Sequence, residues 1–462
     1  MTPEIVYRFV QLSDIHFGQE RNGTLVIHED VRRKLLTDAA ELANTRGPAA
    51  LVVVVGDIAY SGKEDEYKTA ATWLDQVTTA VKCDETNVRV IPGNHDCDRT
   101  QIRSVARNIH RSIRTGTPKS AYADLEDMAR GPEEENPLLP KLKAYRDFAA
   151  GYDSDFGSVA CPLWTKDFPL ADGVALRLVG MNSVQVSDDE DRPATMILGN
   201  AQYILPEEAH LIHVVLVHHP LDWYMDKAEA KPYLRKRARI LMVGHEHIPD
   251  VNKTVDVLKN EWLDIYSGAT NPPEAGAPYQ FAYNWIEVYL RGKAGSHALV
   301  VNVFPRVWVP EQTQFAADVQ RLAGRESAEF EIACPGIKPA AAITSGTSPL
   351  TVDGAAPAST AGSPAPLGEP TGGTTMSTND DAAVAKLKFL FWRYLDWQQR
   401  LKVLVQADAL PPSADRPVPQ TMERLALETA RRHGKLAAIW DAMMVYVPDA
   451  RKQANPFKKP TS

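Results

Sequence analysis

A chain of 462 residues, 44% apolar and 24% charged, has a globular composition and is too long for one ordinary core, so two or three domains are expected. The formal net charge of −8 opposes a general nucleic-acid footprint, though not a local one. No run approaches the roughly 18 to 20 apolar residues of a membrane span, and Met1-Thr2-Pro3-Glu4 lacks the basic and apolar regions of a secretory signal, so a cytoplasmic protein is expected.

From the amino terminus, short β-branched or leucine-rich runs recur, and each stops at a polar cluster. Ile5 to Leu12 leads into Asp14-Ile15-His16, and Leu51 to Val55 into Gly56-Asp57. Val88 to Ile91 leads into Pro92-Gly93-Asn94-His95-Asp96. Ile212 to Val217 leads into His218-His219-Pro220, and Ile240 to Val243 into Gly244-His245-Glu246-His247. Runs of that length bounded by Gly or Pro are buried strands. Between the first three lie an amphipathic helix from about Glu29 to Asn44, closed by Gly47-Pro48, and one carrying Tyr67, Ala71, Leu74 and Val77 at helical spacing. A βαβαβ rhythm of this kind gives a parallel sheet.

Residues 98–162 interrupt the rhythm with polar, helix-prone sequence expected to cap a cleft. Further strands are predicted at Leu163 to Leu170 and Val174 to Met181. Trp262 to Tyr266, Phe281 to Tyr289 and Ala298 to Phe304 are expected to form a second sheet. The basic tract Arg235-Lys236-Arg237-Ala238-Arg239 has the character of a solvated helix end.

Ligand-type residues placed just past the carboxyl ends of strands meet at one sheet edge. Asp14 and His16 stand two apart, as do His245 and His247, and on extended backbone each pair can hold one cation. The two carboxylate oxygens of Asp57 can bridge two cations, with Asn94 and His218 completing the second. Nitrogen and oxygen donors without thiolate suit two transition-metal ions such as manganese, iron, zinc or nickel, which together activate a phosphoryl group and a hydroxide nucleophile. Cys83, Cys97, Cys161 and Cys334 are scattered and form no Cys-x-x-Cys pair, so neither a disulfide framework nor a structural zinc site is expected. His28, His110, His210, His213 and His297 fit no ligand slot.

The ordered set Asp-x-His, Gly-Asp, Gly-Asn-His-Asp, His-His-Pro and Gly-His-x-His resembles the calcineurin-like metallophosphoesterase superfamily over about residues 5 to 305. The resemblance implies an α/β fold of two facing β-sheets flanked by helices. It implies a first metal on Asp14, His16, Asp57 and His247 and a second on Asp57, Asn94, His218 and His245. His95 is then the catalytic, non-ligand residue that stabilises the transition state and protonates the leaving oxygen, and His219 a neighbour facing substrate. Arg99 is close enough in sequence to clamp a phosphate. Phosphoprotein phosphatases of the superfamily continue Gly-Asp with Asp-Arg-Gly, whereas this chain has Ala59-Tyr60-Ser61-Gly62. That departure counts against a phosphoprotein phosphatase, and the chain looks more like bacterial members grouped with phosphodiesterases acting on nucleotides, cyclic nucleotides or nucleic acid; a phosphomonoesterase shares every ligand, and the presence of all the ligands argues against a catalytically silent scaffold.

The phosphoesterase domain is expected to span 1–335. Residues 336–380, rich in Ala, Pro, Gly, Ser and Thr, are expected to form a flexible tether. In 381–462 an apolar stripe from Val384 to Leu404, a second around Met422 and Leu425, and a third from Leu436 to Met443 predict three short helices making a small all-α domain. This tail resembles the death-like, effector-associated adaptor domains of bacterial conflict and signalling systems, which implies a protein partner.

Overall fold

In Leu51–Val55 every side chain is buried, yet successive ones point to opposite faces. Leu51, Val53 and Val55 enter an apolar layer between two sheets, whereas Val52 and Val54 enter a second layer beneath helices. Burial on both faces explains why the run shows no polar alternation, the habit of a covered parallel strand.

The computed structural model describes residues 5–20, 25–156, 162–271, 280–292, 296–338, 378–411 and 418–458. Its first half contains β1 (Tyr7–Leu12), α1 (Leu25–Arg46), β2 (Leu51–Val55), α2 (Glu64–Ala80) and β3 (Val88–Ile91). After these come α3 (Ser104–Thr115), α4 (Pro118–Arg130), α5 (Lys143–Gly151), β4 (Leu163–Pro169), β5 (Ala175–Met181) and α6 (Asn200–Tyr203). Next are β6 (Leu211–Val217), α7 (Lys227–Arg237), β7 (Ala238–Val243), β8 (Asp250–Val255) and β9 (Glu261–Tyr266). The strands end with β10 (Ala282–Arg291), β11 (Ala298–Val309), β12 (Gln314–Ala317) and β13 (Ala328–Ala333). The tail holds α8 (Thr378–Tyr394), α9 (Trp397–Gln406), α10 (Gln420–Arg432) and α11 (Leu436–Met443).

One sheet runs β12-β11-β10-β1-β2-β3, with β13 also on β11, and the other runs β4-β5-β6-β7-β9-β8. The strands that end at the polar clusters lie side by side and parallel, β1 with β2 and β3 in one sheet, β6 with β7 in the other. Two facing sheets flanked by helices match the expected fold class, but the expected second sheet is corrected. Residues 261–266 pair in parallel with β7, Ile240 opposite Leu263, while β10 returns antiparallel onto β1, Phe9 opposite Ile286. Alternation identifies a strand's inward face; which open edge it joins is decided by long-range pairing.

Glu66 closes the start of α2 by accepting from the backbone N–H groups of Ser61 (2.9 Å) and Lys63 (3.0 Å). The basic tract at the end of α7 is less solvated than expected. Arg235 makes a bidentate pair with Asp264 at 2.8 and 2.9 Å and lies over the Trp262 ring. In the 98–162 insertion, α5 is part of the body, with Tyr145, Ala149 and Tyr152 buried against the α2 side of the first sheet.

The tail forms four helices rather than three. Asp396 interrupts the first apolar stripe: its side chain accepts from Gln399 N (2.9 Å) and Gln399 returns the bond to Asp396 N, so α9 starts afresh. Most of the expected tether, 339–377, lies outside the described residues, as does Cys161. The helices beyond it share an apolar cluster with the body, in which α8 lies on α5. The Cα of Gly151 faces Trp392 so closely that a Cβ there would stand 3.7 Å from the Trp392 Cβ. Around this contact Lys388 pairs with Asp153 (2.9 Å), Arg424 with Asp155 (3.0 Å), Arg451 with Glu85 (2.7 Å), and Lys386 with Glu85. In each of these pairs the base is on the tail and the acid on the body. No helix among the described residues is long and apolar enough to cross a membrane.

Leu216 is fully buried between the sheets, whereas Val257 at the tip of the β8–β9 hairpin is 98% exposed. Replacing Leu216 by Ala is expected to cost about 3 kcal/mol, and replacing Val257 by Ala less than about 0.5 kcal/mol. Denaturant titration measures both, and equal effects would contradict the placement of this layer.

Candidate metal centre

The backbone itself is bent at this rim. Asp14 (φ 52°), His16 (51°), Asp57 (52°), His245 (67°) and His247 (55°) all adopt left-handed conformations, which non-glycine residues seldom do. Each costs on the order of 1 kcal/mol and persists only where the surroundings over-determine it. Here they do: Asp14 N donates to Gly56 O (3.0 Å), Ile15 N to Asp57 O (2.8 Å), Gly244 N to His218 O (3.1 Å) and Asn271 N to Asp14 O (2.9 Å). The turn after β1 is thereby stitched to those after β2 and β9, and the turn after β6 to that after β7.

Two glycines make the crowding possible. Gly56 has φ +86°, and a Cβ on it would lie 2.3 Å from His218 Nδ1. At Gly93 the conformation is ordinary, but a Cβ would lie 2.1 Å from Asp57 Oδ1. Any side chain there would drive the Asn94 turn off Asp57.

In the space so cleared, Asp57 Oδ2 lies 3.2 Å from His16 Nε2 and 3.3 Å from His218 Nε2, while its Oδ1 accepts from His95 N (2.8 Å). Asp14 Oδ1 lies 3.1 Å from His247 Nε2, and its Oδ2 accepts from His245 N (3.2 Å). His245 Nδ1 and Asn94 Oδ1 are 3.1 Å apart. The structure therefore brings together Asp14, His16, Asp57, Asn94, His95, His218, His245 and His247, which the sequence scatters over more than two hundred positions.

The imidazoles are aimed by their far nitrogens. His218 Nδ1 donates to Val55 O (2.8 Å), His16 Nδ1 to Asn271 O (3.2 Å) and His95 Nδ1 to Tyr60 O (2.8 Å), turning each Nε2 toward the centre. Several inward atoms are left with unmet polar capacity. Asp14 Oδ1, His218 Nε2 and His219 Nε2 are buried without an aligned hydrogen bond, although the first two stand close to a charged neighbour. Buried polar atoms in native proteins are normally paired. Their convergence here, as nitrogen and oxygen donors without thiolate, fits coordination of transition-metal cations.

Burial opposes ionisation of Asp57, but His218 and His95, with the hydrogen bond from His16, outweigh it and hold the carboxyl well below its ordinary value. Burial also opposes a charge on His218, and Asp57 and Asp14 overcome it, raising that ring to about 9. His245, buried and beside His218, falls to about 4, and His219 falls for the same reasons. Asp96 is pushed up to about 6 by burial and by Asp57, against the backbone donors that favour its charge.

The two residues expected at substrate are placed differently. His219 is buried at the rim, its Nδ1 2.8 Å from Ser183 Oγ and its ring 4.5 Å from that of His245. Arg99 lies outside the cluster, 42% exposed and paired with Asp189 at 3.5 Å. Cys97 is buried and its thiol pushed up to about 12 by burial, the state of an inert filler.

Several supporting residues carry no motif in the sequence. Ser13 Oγ hydrogen-bonds to Asp14 and to Val55 O (2.9 Å), and His28 contacts the Asn271 side chain behind His16. The Trp223 ring stands 4.2 Å from that of His245. Asp96 accepts from Gly93 N (2.9 Å), Ile58 N (3.1 Å), Ala59 N (2.9 Å) and the Tyr67 hydroxyl (2.8 Å). Only Asp96 carried a signal, as the last letter of Gly-Asn-His-Asp.

Comparison with known proteins agrees with this geometry. A family model described as calcineurin-like phosphoesterase matches residues 7–249, and one described as GTPase-associated adaptor domain matches residues 383–444. A metallophosphoesterase-like protein of Bacillus subtilis (strain 168), YydB, itself uncharacterised, is 24% identical over 286 residues, 59% of this chain and 55% of the relative. Among solved structures, the NAD nucleotidase NadN of Haemophilus influenzae is 10% identical with a TM-score of 0.34, over 69% of this chain and 55% of that one. Purple acid phosphatase PPD1 from yellow lupin is 11% identical with a TM-score of 0.36, over 74% and 58%. The chain thus spans a little over half the length of these relatives. The phosphoesterase family implies a binuclear metal centre, which the donor set described above fits. With over half of its 462 residues inside the matched region, the chain belongs to the calcineurin-like phosphoesterase family.

Proposed function

We propose that this chain is a binuclear-metal phosphodiesterase for nucleotide, cyclic nucleotide or nucleic-acid substrates, and that its adaptor helices bring it to a protein partner in a GTPase-associated bacterial signalling or defence assembly. The observation that carries the catalytic reading is the position of Asp57 Oδ2 between His16 Nε2 and His218 Nε2, one imidazole from each side of the centre. Asp14, His16, Asp57 and His247 would hold one cation, and Asp57, Asn94, His218 and His245 the other. When bound, the pair polarises a phosphoryl group and supplies a hydroxide nucleophile at neutral pH.

The protein's own groups do the rest. His95 is fixed by its Nδ1 hydrogen bond to Tyr60 O and by the Tyr60 ring, stacked at 5.1 Å, so its Nε2 would face the leaving oxygen and donate to it from the doubly protonated ring. His219 faces the same space and would orient a phosphoryl oxygen. Two features support a nucleotide-like diester. Gly56-Asp57 continues as Ile58-Ala59-Tyr60 instead of the phosphoprotein-phosphatase form, and Tyr60 and Trp223, both only partly buried, flank the centre with aromatic faces suited to stacking a base. The adaptor part of the reading is supported by the match over residues 383–444.

Manganese-loaded protein is expected to hydrolyse bis(p-nitrophenyl) phosphate faster than p-nitrophenyl phosphate; the reverse order would make it a monoesterase. Replacing His95 by Ala should retain both metals by elemental analysis while turnover falls on the order of 10² to 10⁴, and loss of metal would move His95 into the ligand set. Gly93→Ala, which sets a methyl group against Asp57 Oδ1, should instead lose metal. It should also lose most of the rise in melting temperature that manganese gives the parent, which at a hundredfold excess over Kd corresponds to about 2.7 kcal/mol.

A further inference from the structure

Asp96 does not point at the candidate metal centre, yet it gathers both turns that build it. Its carboxylate accepts from Ile58 N and Ala59 N beside Asp57, and from Gly93 N beside Asn94. A fourth donor comes from outside the turns: the hydroxyl of Tyr67, on the first turn of α2, at 2.8 Å. Tyr67 is 3% exposed, and its ring lies against Phe148 of α5 with centroids 5.0 Å apart.

From Phe148 the row of rings continues to the tail. Phe148 meets Tyr152 edge-on at 5.1 Å, and Tyr152 meets Phe389 of α8 at 5.9 Å. On the same helix α5, Gly151 faces Trp392 and the backbone of Arg393, leaving room for no more than a methyl group between them. The Tyr152 hydroxyl, buried beside Phe389, has no hydrogen-bond partner among the described residues. The seat of α8 on α5 is therefore held by apolar and ring contacts at this point.

We infer that Tyr67 is a positioning residue that transmits the docked state of the adaptor helices to the Asp57 and Asn94 turns, through Phe389, Tyr152 and Phe148 on one side and Asp96 on the other. This rests on the catalytic reading given above and adds to it a control: engagement of α8 by a partner alters turnover at a centre the partner does not touch. Close packing gives such a row few intermediate arrangements, and a ligand shifts a two-state element only by its differential affinity for the states. The partner acts as an effector by competing for α8 or by holding it.

The test uses full-length, manganese-loaded protein. Tyr67→Phe keeps the ring and removes the donated proton. It is expected to speed exchange of the Ile58, Ala59 and Gly93 amides and to lower kcat about tenfold with KM within about twofold, the size of one hydrogen bond to a charged group. Lys388→Glu combined with Arg424→Glu, which sets like charges against Asp153 and Asp155, is expected to move the same three amides and kcat in the same direction. For Lys388→Glu alone, reversing its partner with Asp153→Lys should restore both. Unchanged exchange at the three amides in Tyr67→Phe overturns the positioning role. Tail variants that lower only the melting temperature, leaving kcat and those amides as in the parent, overturn the link to the adaptor. A parent protein inactive on every phosphoester would fault the catalytic reading, and amide exchange would still decide the relay.

Discussion

A carboxylate that is almost wholly buried between imidazoles is the constraint on which the rest of this structure depends. Asp57 is 1% exposed, Asp14 is fully buried, and their charges are met by the imidazoles of His16, His218 and His247. Isolated in such a place, each would be costly enough to remain protonated. Held beside His16, His218 and His247, they are drawn to the anionic form that a cation requires. The left-handed backbone at Asp14, His16, Asp57, His245 and His247 is the conformational cost of this convergence. That cost is tolerable because each turn is tied to its neighbours by backbone hydrogen bonds and rooted in a strand covered on both faces.

The same arrangement explains what could be read from the sequence. Strand runs and their polar endings were legible because each ligand-type residue lies within a few positions of the apolar run that carries it: Asn94 and His95 follow Val88–Ile91 by three and four residues. Residues that act at a distance were not legible. Ser13, Asn271 and Ser183 occupy positions where small polar residues are ordinary, and their roles arise only when the β1, β2 and β9 ends, and the β5 and β6 ends, come together. Likewise 261–266 carries the alternation of a half-covered strand, but its pairing with β7 depends on the β8 hairpin that precedes it. Arg99 stands apart from the cluster. Proximity to His95 in sequence did not bring it into the cluster, because the chain turns away at Asp98 and Asp189 takes the guanidinium.

The tail was legible as helices and not as part of the body. An apolar stripe from Val384 to Leu404 looks the same whether it closes a small bundle or lies on another domain, and the break at Asp396 is signalled only by a capping pattern that a continuous stripe obscures. A net charge of −8 hides the feature that would have joined the two parts, since acids at Glu85, Asp153 and Asp155 are answered by bases on the tail. Partly exposed pairs of this kind contribute about 0 to 1 kcal/mol each and are weakened by salt. They therefore orient the tail more than they hold it.

Holding falls to the apolar layer of α5, and this layer has two duties that pull in different directions. On its α2 side Phe148 and Tyr145 pack around Tyr67, whose hydroxyl completes the set of donors on Asp96. On its α8 side Tyr152 and Gly151 accept the adaptor. A helix serving only the centre would be covered by side chains that satisfy its phenols, and one serving only as a dock would not reach the residue that binds the Asp57 and Asn94 turns together. Through α5, the tail helices and Tyr67 share one apolar layer, and the Asp96 carboxylate that Tyr67 binds is hydrogen-bonded to both turns that meet at Asp57.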